Sequence, residues 1–176
     1  MAGIIRIIPT GSEFLLFLWE SFNGLFMIRL IRTNAQHPHF VELVKALDAD
    51  LAIRDGEDHD FYDQFNKINT IKYVVIAYEN EEPVACGAIK AYGTTVIEVK
   101  RMYTSPESRG KGIASQVLGA LEMWAQEMNY EKCILETGKL QPEAIALYQK
   151  SSYRQIPNYG QYAGVANSVC FEKVLR

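Results

Sequence analysis

Cysteine is scarce in this chain of 176 residues. Cys86, Cys133 and Cys170 are widely spaced, form no CxxC pair, and each sits in an apolar, strand-like setting. An odd count in such surroundings predicts buried free thiols and a reducing, cytoplasmic compartment, and argues against a catalytic cysteine. Excess charge is also lacking: the net charge of −3 offers no broad basic face, so nucleic acid is not expected as the main partner. Long apolar runs are absent as well. Phe14 to Trp19 is strongly apolar, but Glu20 and Asn23 break it far short of the roughly 20 residues of a membrane span. The segment is also a poor secretory signal, with Arg6 as the only early basic residue and no small-x-small cleavage site. His37, His39 and His59 have no Cys or carboxylate partner at metal-ligand spacing, so they read as surface histidines and no metal is expected. No internal repeat, low-complexity tract or Gly/Ser/Pro-rich linker divides the chain.

What is present suits a single domain with a real core: 48% of the residues are hydrophobic and 22% charged. Residues 1–26 read as an extension of uncertain origin, a misplaced start or a cloning remnant, because Met27 opens a plausible first strand. If ordered, this extension is expected to bury Phe14, Leu16 and Trp19 against the domain, residues 27–176, or against a partner chain. MIRLIR alternates as a half-buried strand, and Phe40, Leu43, Val44 and Leu47 have helical spacing. A turn is expected at Asp55-Gly56 and a short helix around Phe61 to Phe65. Residues 72–92 read as a hairpin turning at Glu79 to Pro83, and TTVIEVKRMYTS as a further strand. A helix over 112–128, the strand KCILET, a helix starting near Pro142 and two closing strands follow. The sum is an α/β domain on a sheet of mixed direction.

The stretch SPESRGKGIASQ joins the strand before it to the helix over 112–128. A strand, a glycine turn and a helix start make an anion site, because the first helical N–H groups lack intrahelical partners and carry the positive end of the helix dipole. Gly110 and Gly112 remove side chains from the approach, and Arg109 and Lys111 add positive charge. A pyrophosphate fits this constellation. The Walker pattern fails, since Lys111 is followed by Gly112 and position 106 is proline; the dinucleotide fingerprint fails at Ser115.

Arg109-Gly110-Lys111-Gly112-Ile113-Ala114 resembles the Q/R-x-x-G-x-G/A loop of the GNAT-type N-acetyltransferases, and AIALYQKSSY is similar to that family's A-x-x-L-Y-x-K-x-G-F/Y signature. The resemblance runs from about residue 27 to 176 and is densest over 96–153. It implies an α/β (α+β) fold: a mixed, mostly antiparallel sheet of six to seven strands, splayed between the fourth and fifth and flanked by about four helices. It implies acetyl-CoA as co-substrate and a primary amine, of a small molecule or a protein, as acceptor. By position, backbone groups of Arg109, Gly110, Lys111, Gly112, Ile113, Ala114 and Ser115 would hold the pyrophosphate, and those of Met102, Tyr103 and Thr104 the pantetheine and thioester. Gln141 stands where the family usually has asparagine, so its pantetheine contact is weakened. Ser152 replaces the family's glycine, which bears on a helix C-cap. Family members often form homodimers.

Acyl transfer from a thioester needs a neutral amine, whereas an alkyl ammonium has a pKa near 10.4. A carboxylate must take the proton. The resemblance places Glu98 there, and Tyr148 as the acid that protonates the leaving thiolate. A strand N–H near Met102 would serve the oxyanion. Two segments are set beside these as acceptor-side elements: the acidic run holding Asp55, Glu57, Asp58, Asp60 and Asp63, otherwise a solvated loop, and residues 156–168 with Asn158, Tyr159 and Tyr162, otherwise an ordinary hairpin loop. Met123 and Trp124 fit the core face of their helix and its margin. The alternatives to an enzyme are an acyl-CoA-binding regulatory module on the same fold, which would need neither Glu98 nor Tyr148, and an interaction protein docking through its apolar N-terminal segment.

Overall fold

A computed structural model describes residues 6–10, 14–18, 28–55, 68 and 70–175. The N-terminal strands β1 (Arg6–Thr10) and β2 (Phe14–Leu18) pair antiparallel as a separate two-stranded sheet. The remaining elements are β3 (Ile28–Thr33), α1 (Pro38–Asp55), β4 (Tyr73–Glu79), β5 (Glu82–Ala91), β6 (Val96–Thr104), α2 (Ile113–Glu127), β7 (Lys132–Gly138), α3 (Pro142–Lys150), β8 (Arg154–Ile156) and β9 (Ser168–Val174). They build a seven-stranded sheet in the order β3-β4-β5-β6-β7-β9-β8. Every neighbouring pair is antiparallel except β6 and β7. The expected mixed, mostly antiparallel sheet is therefore found. Three α-helices are described; the short helix expected near Phe61 and the acidic side chains of 55–63 fall outside the described residues, as do the side chains of Phe14, Leu16 and Trp19.

Both faces of the sheet are covered, which explains the continuous apolar run YVVIAY in β4. Val75 and Ala77 join a core with Val117, Leu118 and Leu121 of α2 and Tyr148 of α3. Val74 and Ile76 face the other way, onto Phe40, Leu43 and Val44 of α1. The spacing that marks residues 40–47 as helical belongs to a helix that continues to Asp55, where the turn is expected, and its second half reaches the cleft described below. β4 and β5 turn over Asn80 and Glu81, both at positive φ (51° and 69°), the two-residue turn that matches strand twist. All three cysteines are free and buried, as expected. No described helix is long and apolar enough to cross a membrane.

In β5–β6, Cys86 pairs Tyr103 while Ala88 pairs Lys100, so β6 carries an extra residue opposite Gly87. Arg101 takes it up at φ 58°. Gly87 has no alternative here: a Cβ would lie 2.4 Å from the Met102 sulfur, 2.8 Å from Leu121 and 2.9 Å from Val117.

Candidate active site

β6 and β7 run in parallel for only three residue pairs, Val96–Lys132, Ile97–Cys133 and Glu98–Ile134. Beyond them the strands part, while β6 continues to Thr104 and β7 to Gly138. The side of β6 that would meet a neighbouring strand opens instead into a cleft of about 480 Å³. The cleft takes in the β6 segment 98–104, the glycine loop, the end of β7, one side of α3 and the second half of α1. Of the expected site residues, Glu98, Met102, Tyr103, Thr104, Arg109, Gly110, Gly112, Ile113, Ala114, Ser115, Gln141 and Tyr148 all line it.

At one end lies the glycine loop. Pro106–Ser108 make a short 3-10 turn, and the chain then passes through Gly110 and Gly112, both at φ +78°. At that φ, glycine is the residue without strain, and neither position has an atom within 4 Å of an added Cβ, so the bare backbone faces open space. Gly112 caps α2 with no side-chain hydrogen bond, which leaves the first N–H groups of the helix free for a ligand.

The loop's cations are held back. Lys111 is not in the cleft lining; its Nζ reaches both carboxylate oxygens of Glu79 at 2.8 Å, and the Ser108 hydroxyl donates to the same carboxylate at 3.0 Å. Arg109 donates through Nε to the Thr104 carbonyl (3.0 Å) and pairs with Asp50 (3.4 Å). The expected added positive charge is thus largely neutralised, and the side chains brace a loop whose backbone is its polar surface. Thr104 therefore enters the cleft with its carbonyl engaged and its buried Oγ1 without a partner.

At the other end, in the fork of the strands, Glu98 is only 6% exposed. Lys100 Nζ lies 3.3 Å from one of its oxygens, and the Tyr159 hydroxyl donates to the other at 2.9 Å. The loop between β8 and β9 thus closes onto this end. Asn158 ties its neck by donating to the carbonyls of Val165 (3.0 Å) and Ser168 (3.1 Å). Tyr159 and Tyr162 stand edge to face, Tyr92 packs on Tyr159, and Lys100 also reaches the Tyr162 hydroxyl at 3.3 Å. Burial, reinforced by Glu98, holds the Tyr159 hydroxyl far above the ordinary tyrosine range, so it stays a donor.

Tyr148 lies in the last turn of α3, 5% exposed, its ring against Tyr153 and Phe171. Burial, with Glu136 adding to it, raises its hydroxyl well above the usual value, so its proton is retained through neutral pH. Gln141 is the cap of α3; its carbonyl accepts from Ala144 and Ile145, both at 3.1 Å, and its side chain makes no cap bond.

Several members of the site carry no sequence signal. Lys100 is among them, as are Asp50, Arg54 and Glu143, which with Arg109 form a line of charges joining the loop, α1 and α3 along the cleft. The histidines differ from expectation: His37 and His39 are half-buried, and His39 hydrogen-bonds the Tyr78 hydroxyl at 2.9 Å; His59 lies outside the described residues. Among the described residues no cluster of three or more His, Cys, Asp or Glu could hold a metal ion.

A parted sheet thus sets a bare anion loop at one end of a single cleft and a buried carboxylate at the other. The sequence profile of the acetyltransferase (GNAT) family matches residues 40–153. The chain belongs to that family and is an acyltransferase. It is 35% identical over 101 residues to the uncharacterized N-acetyltransferase YsnE of Bacillus subtilis, a stretch that covers 56% of this chain and 67% of that one. Among solved structures, a Klebsiella pneumoniae protein described as an acyl-CoA N-acyltransferase superposes with a TM-score of 0.71 at 29% identity, over 85% of this chain and 99% of that one. An Elizabethkingia anophelis GNAT acetyltransferase with acetyl-CoA bound shares the fold, with a TM-score of 0.62 at 19% identity, over 84% and 98% of the two chains.

Proposed function

We propose that the protein moves an acetyl group from acetyl-CoA directly to a primary amine, and that residues 27–176 form the catalytic domain. The observation that carries this reading is the parting of β6 from β7 just beyond Glu98, which joins an anion loop and a buried carboxylate through one cleft. Backbone N–H groups from Gly110 to Ser115 take the pyrophosphate at the start of α2. The pantetheine arm lies along Met102, Tyr103 and Thr104 as an added strand, with Gln141 beside it. The bulge at Arg101 turns the β6 backbone at the place where the thioester carbonyl must be polarised, and a strand N–H near Met102 serves the oxyanion. Glu98 takes the proton of the acceptor's ammonium, and the nitrogen attacks the thioester. Tyr148 protonates the departing sulfur. Lys100 and Tyr159 hold Glu98 in place. The buried free thiols support a reducing, cytoplasmic setting.

The test is thermal unfolding with and without acetyl-CoA, with free CoA and ATP as controls, followed by CoA release with a panel of amines. At a hundredfold excess over Kd, binding adds about 2.7 kcal/mol. A shift with acetyl-CoA and none with ATP, together with amine-dependent CoA release, is the expected result. A shift without release for any amine would leave a CoA-binding module; no shift would remove the donor site.

A further inference from the structure

We propose that the enzyme acetylates its own Lys100 when no other amine occupies the acceptor end. This rests on the acetyl-CoA reading above and adds a modification site within it. Lys100 Nζ is a primary ammonium that already stands where the acceptor's ammonium has to stand, 3.3 Å from the Glu98 carboxylate. Its side chain is 11% exposed and borders the cleft, so the cleft is its way to solvent. It lies on β6 two residues before Met102, on the strand that presents the thioester. Its Nζ also lies 3.3 Å from the Tyr162 hydroxyl, Glu136 of β7 lines the same cleft, and the neighbouring Arg101 is turned to Asp48 of α1. Lys150 also lines the cleft but is exposed, at the end of α3, whereas Lys111, Lys132 and Lys173 are held by Glu79, Glu172 and Glu122, which do not line it.

The chemistry balances without any further reagent. The Lys100 ammonium gives one proton to Glu98, and its nitrogen bonds to the acetyl carbonyl carbon. The tetrahedral intermediate collapses with cleavage of the carbon–sulfur bond. Tyr148 gives its proton to the departing sulfur and is restored by the second proton that the nitrogen loses, passed on through solvent, and Glu98 passes its proton to solvent. The products are CoA and an uncharged amide at Lys100, which ends the Lys100–Glu98 ion pair.

The full chain is incubated with acetyl-CoA and no amine, then read by intact mass and peptide mapping. The expected result is one acetyl group, on Lys100, whose appearance is suppressed by excess CoA. It is lost in Lys100→Arg and slowed by about a hundredfold or more in Glu98→Gln, which keeps the lysine but removes the base. A matching thermal midpoint shows that each variant is folded, and the Glu98→Gln arm stands even if Lys100→Arg does not fold. Three results would overturn the proposal: no mass gain although acetyl-CoA shifts the thermal midpoint, acetylation of Lys150 or exposed lysines at rates indifferent to CoA, or a mark that persists in Lys100→Arg. If an added amine is acetylated while Lys100 stays unmodified, self-acetylation falls and the transferase reading stands. If acetyl-CoA neither binds nor is cleaved, both fall.

Discussion

The two ends of the cleft solve opposite problems with opposite materials. The glycine-loop end presents main chain: two glycines at φ +78° bare the backbone, and Lys111 and Arg109 are turned to Glu79 and to Thr104 and Asp50. The Glu98 end presents side chains, a buried carboxylate bracketed by Lys100 of its own strand and by Tyr159 from a distant loop. Backbone recognition suits a ligand part that never changes, because it constrains φ more than residue type. Side-chain recognition can be retuned by substitution, which suits the end proposed to take the acceptor. The division predicts that changes at one end move donor binding and changes at the other move turnover.

The largest effect should come from Glu98→Gln. The amide keeps the shape and can still accept from Tyr159, but it cannot take a proton. Turnover should fall by about 10²–10⁴-fold at neutral pH, with the acetyl-CoA thermal shift retained. Initial rates at saturating acetyl-CoA beside a melting titration check this. Unchanged turnover would remove Glu98 as base and break the division at its acceptor end.

Next in size is Gly112→Val. No atom lies within 4 Å of the new Cβ, so the fold has room for it. The branched side chain must, however, sit at φ +78°, at a cost of about 1–2 kcal/mol, and it occupies the anion's approach. The Kd for acetyl-CoA should rise about tenfold or more, as a loss of roughly 1.4 kcal/mol implies, while turnover at saturating donor changes little. A wild-type Kd with a merely lowered melting point would make the loop a turn and nothing more.

The same division explains what could be read from the chain. Arg109 to Ser115 and Ala144 to Tyr153 are contiguous motifs, so the glycine loop and the helix that carries Tyr148 were legible as residues in a row. The strands and helices followed from period. The hairpin at Asn80-Glu81 and the helix from Ile113 were legible as a polar turn and an amphipathic run. Lys100 reads as one more polar residue of an alternating strand; its role depends on β6 and β7 parting, and nothing local encodes a strand pair that ends after three residues. The bulge at Arg101 is equally silent, because it answers to the crowding of Met102, Leu121 and Val117 over Gly87. The second half of α1 meets the cleft through Asp50 and Arg54, whose partners there are residues more than fifty positions away.

The cysteines compare the two ends in a third way. Cys86 lies under the β6 bulge, its thiol donating to the Arg101 carbonyl at 3.5 Å, whereas Cys170 packs with Tyr162 beneath the loop between β8 and β9. Burial pushes Cys86 and Cys133 up to about 12 and Cys170 to about 11. The folded chain thus keeps thiol protons that the unfolded chain releases. Their stabilisation is complete below about pH 9, the ordinary thiol value, and drains away as pH rises toward about 12. Melting midpoints should therefore fall steadily across that alkaline window. At pH 8 a thiol reagent should be nearly silent on the native protein and label Cys170 before Cys86, if the loop between β8 and β9 opens locally. Equal rates would mean that both thiols are reached only by global unfolding.

The smallest effect tests a departure from the family pattern that lies outside both ends. α3 ends with the Tyr153 N–H bonded to the Tyr148 carbonyl (3.0 Å) and the Ser152 N–H to the Gln149 carbonyl (3.1 Å), which places Ser152 at the left-handed position of a Schellman cap, φ 68°. α2 ends the same way, with Asn129 at φ 63°, a residue that tolerates this region better than serine. Ser152→Gly removes the Cβ strain at a position that is exposed and whose backbone bonds survive the change. It should stabilise the protein by about 1 kcal/mol, raising the melting midpoint by roughly 2–4 °C for a chain of this size, with turnover unaltered. If turnover moved with it, the cap would be setting the position of Tyr148, four residues back and in the same hydrogen-bonded turn, and the acid's placement would depend on how α3 stops.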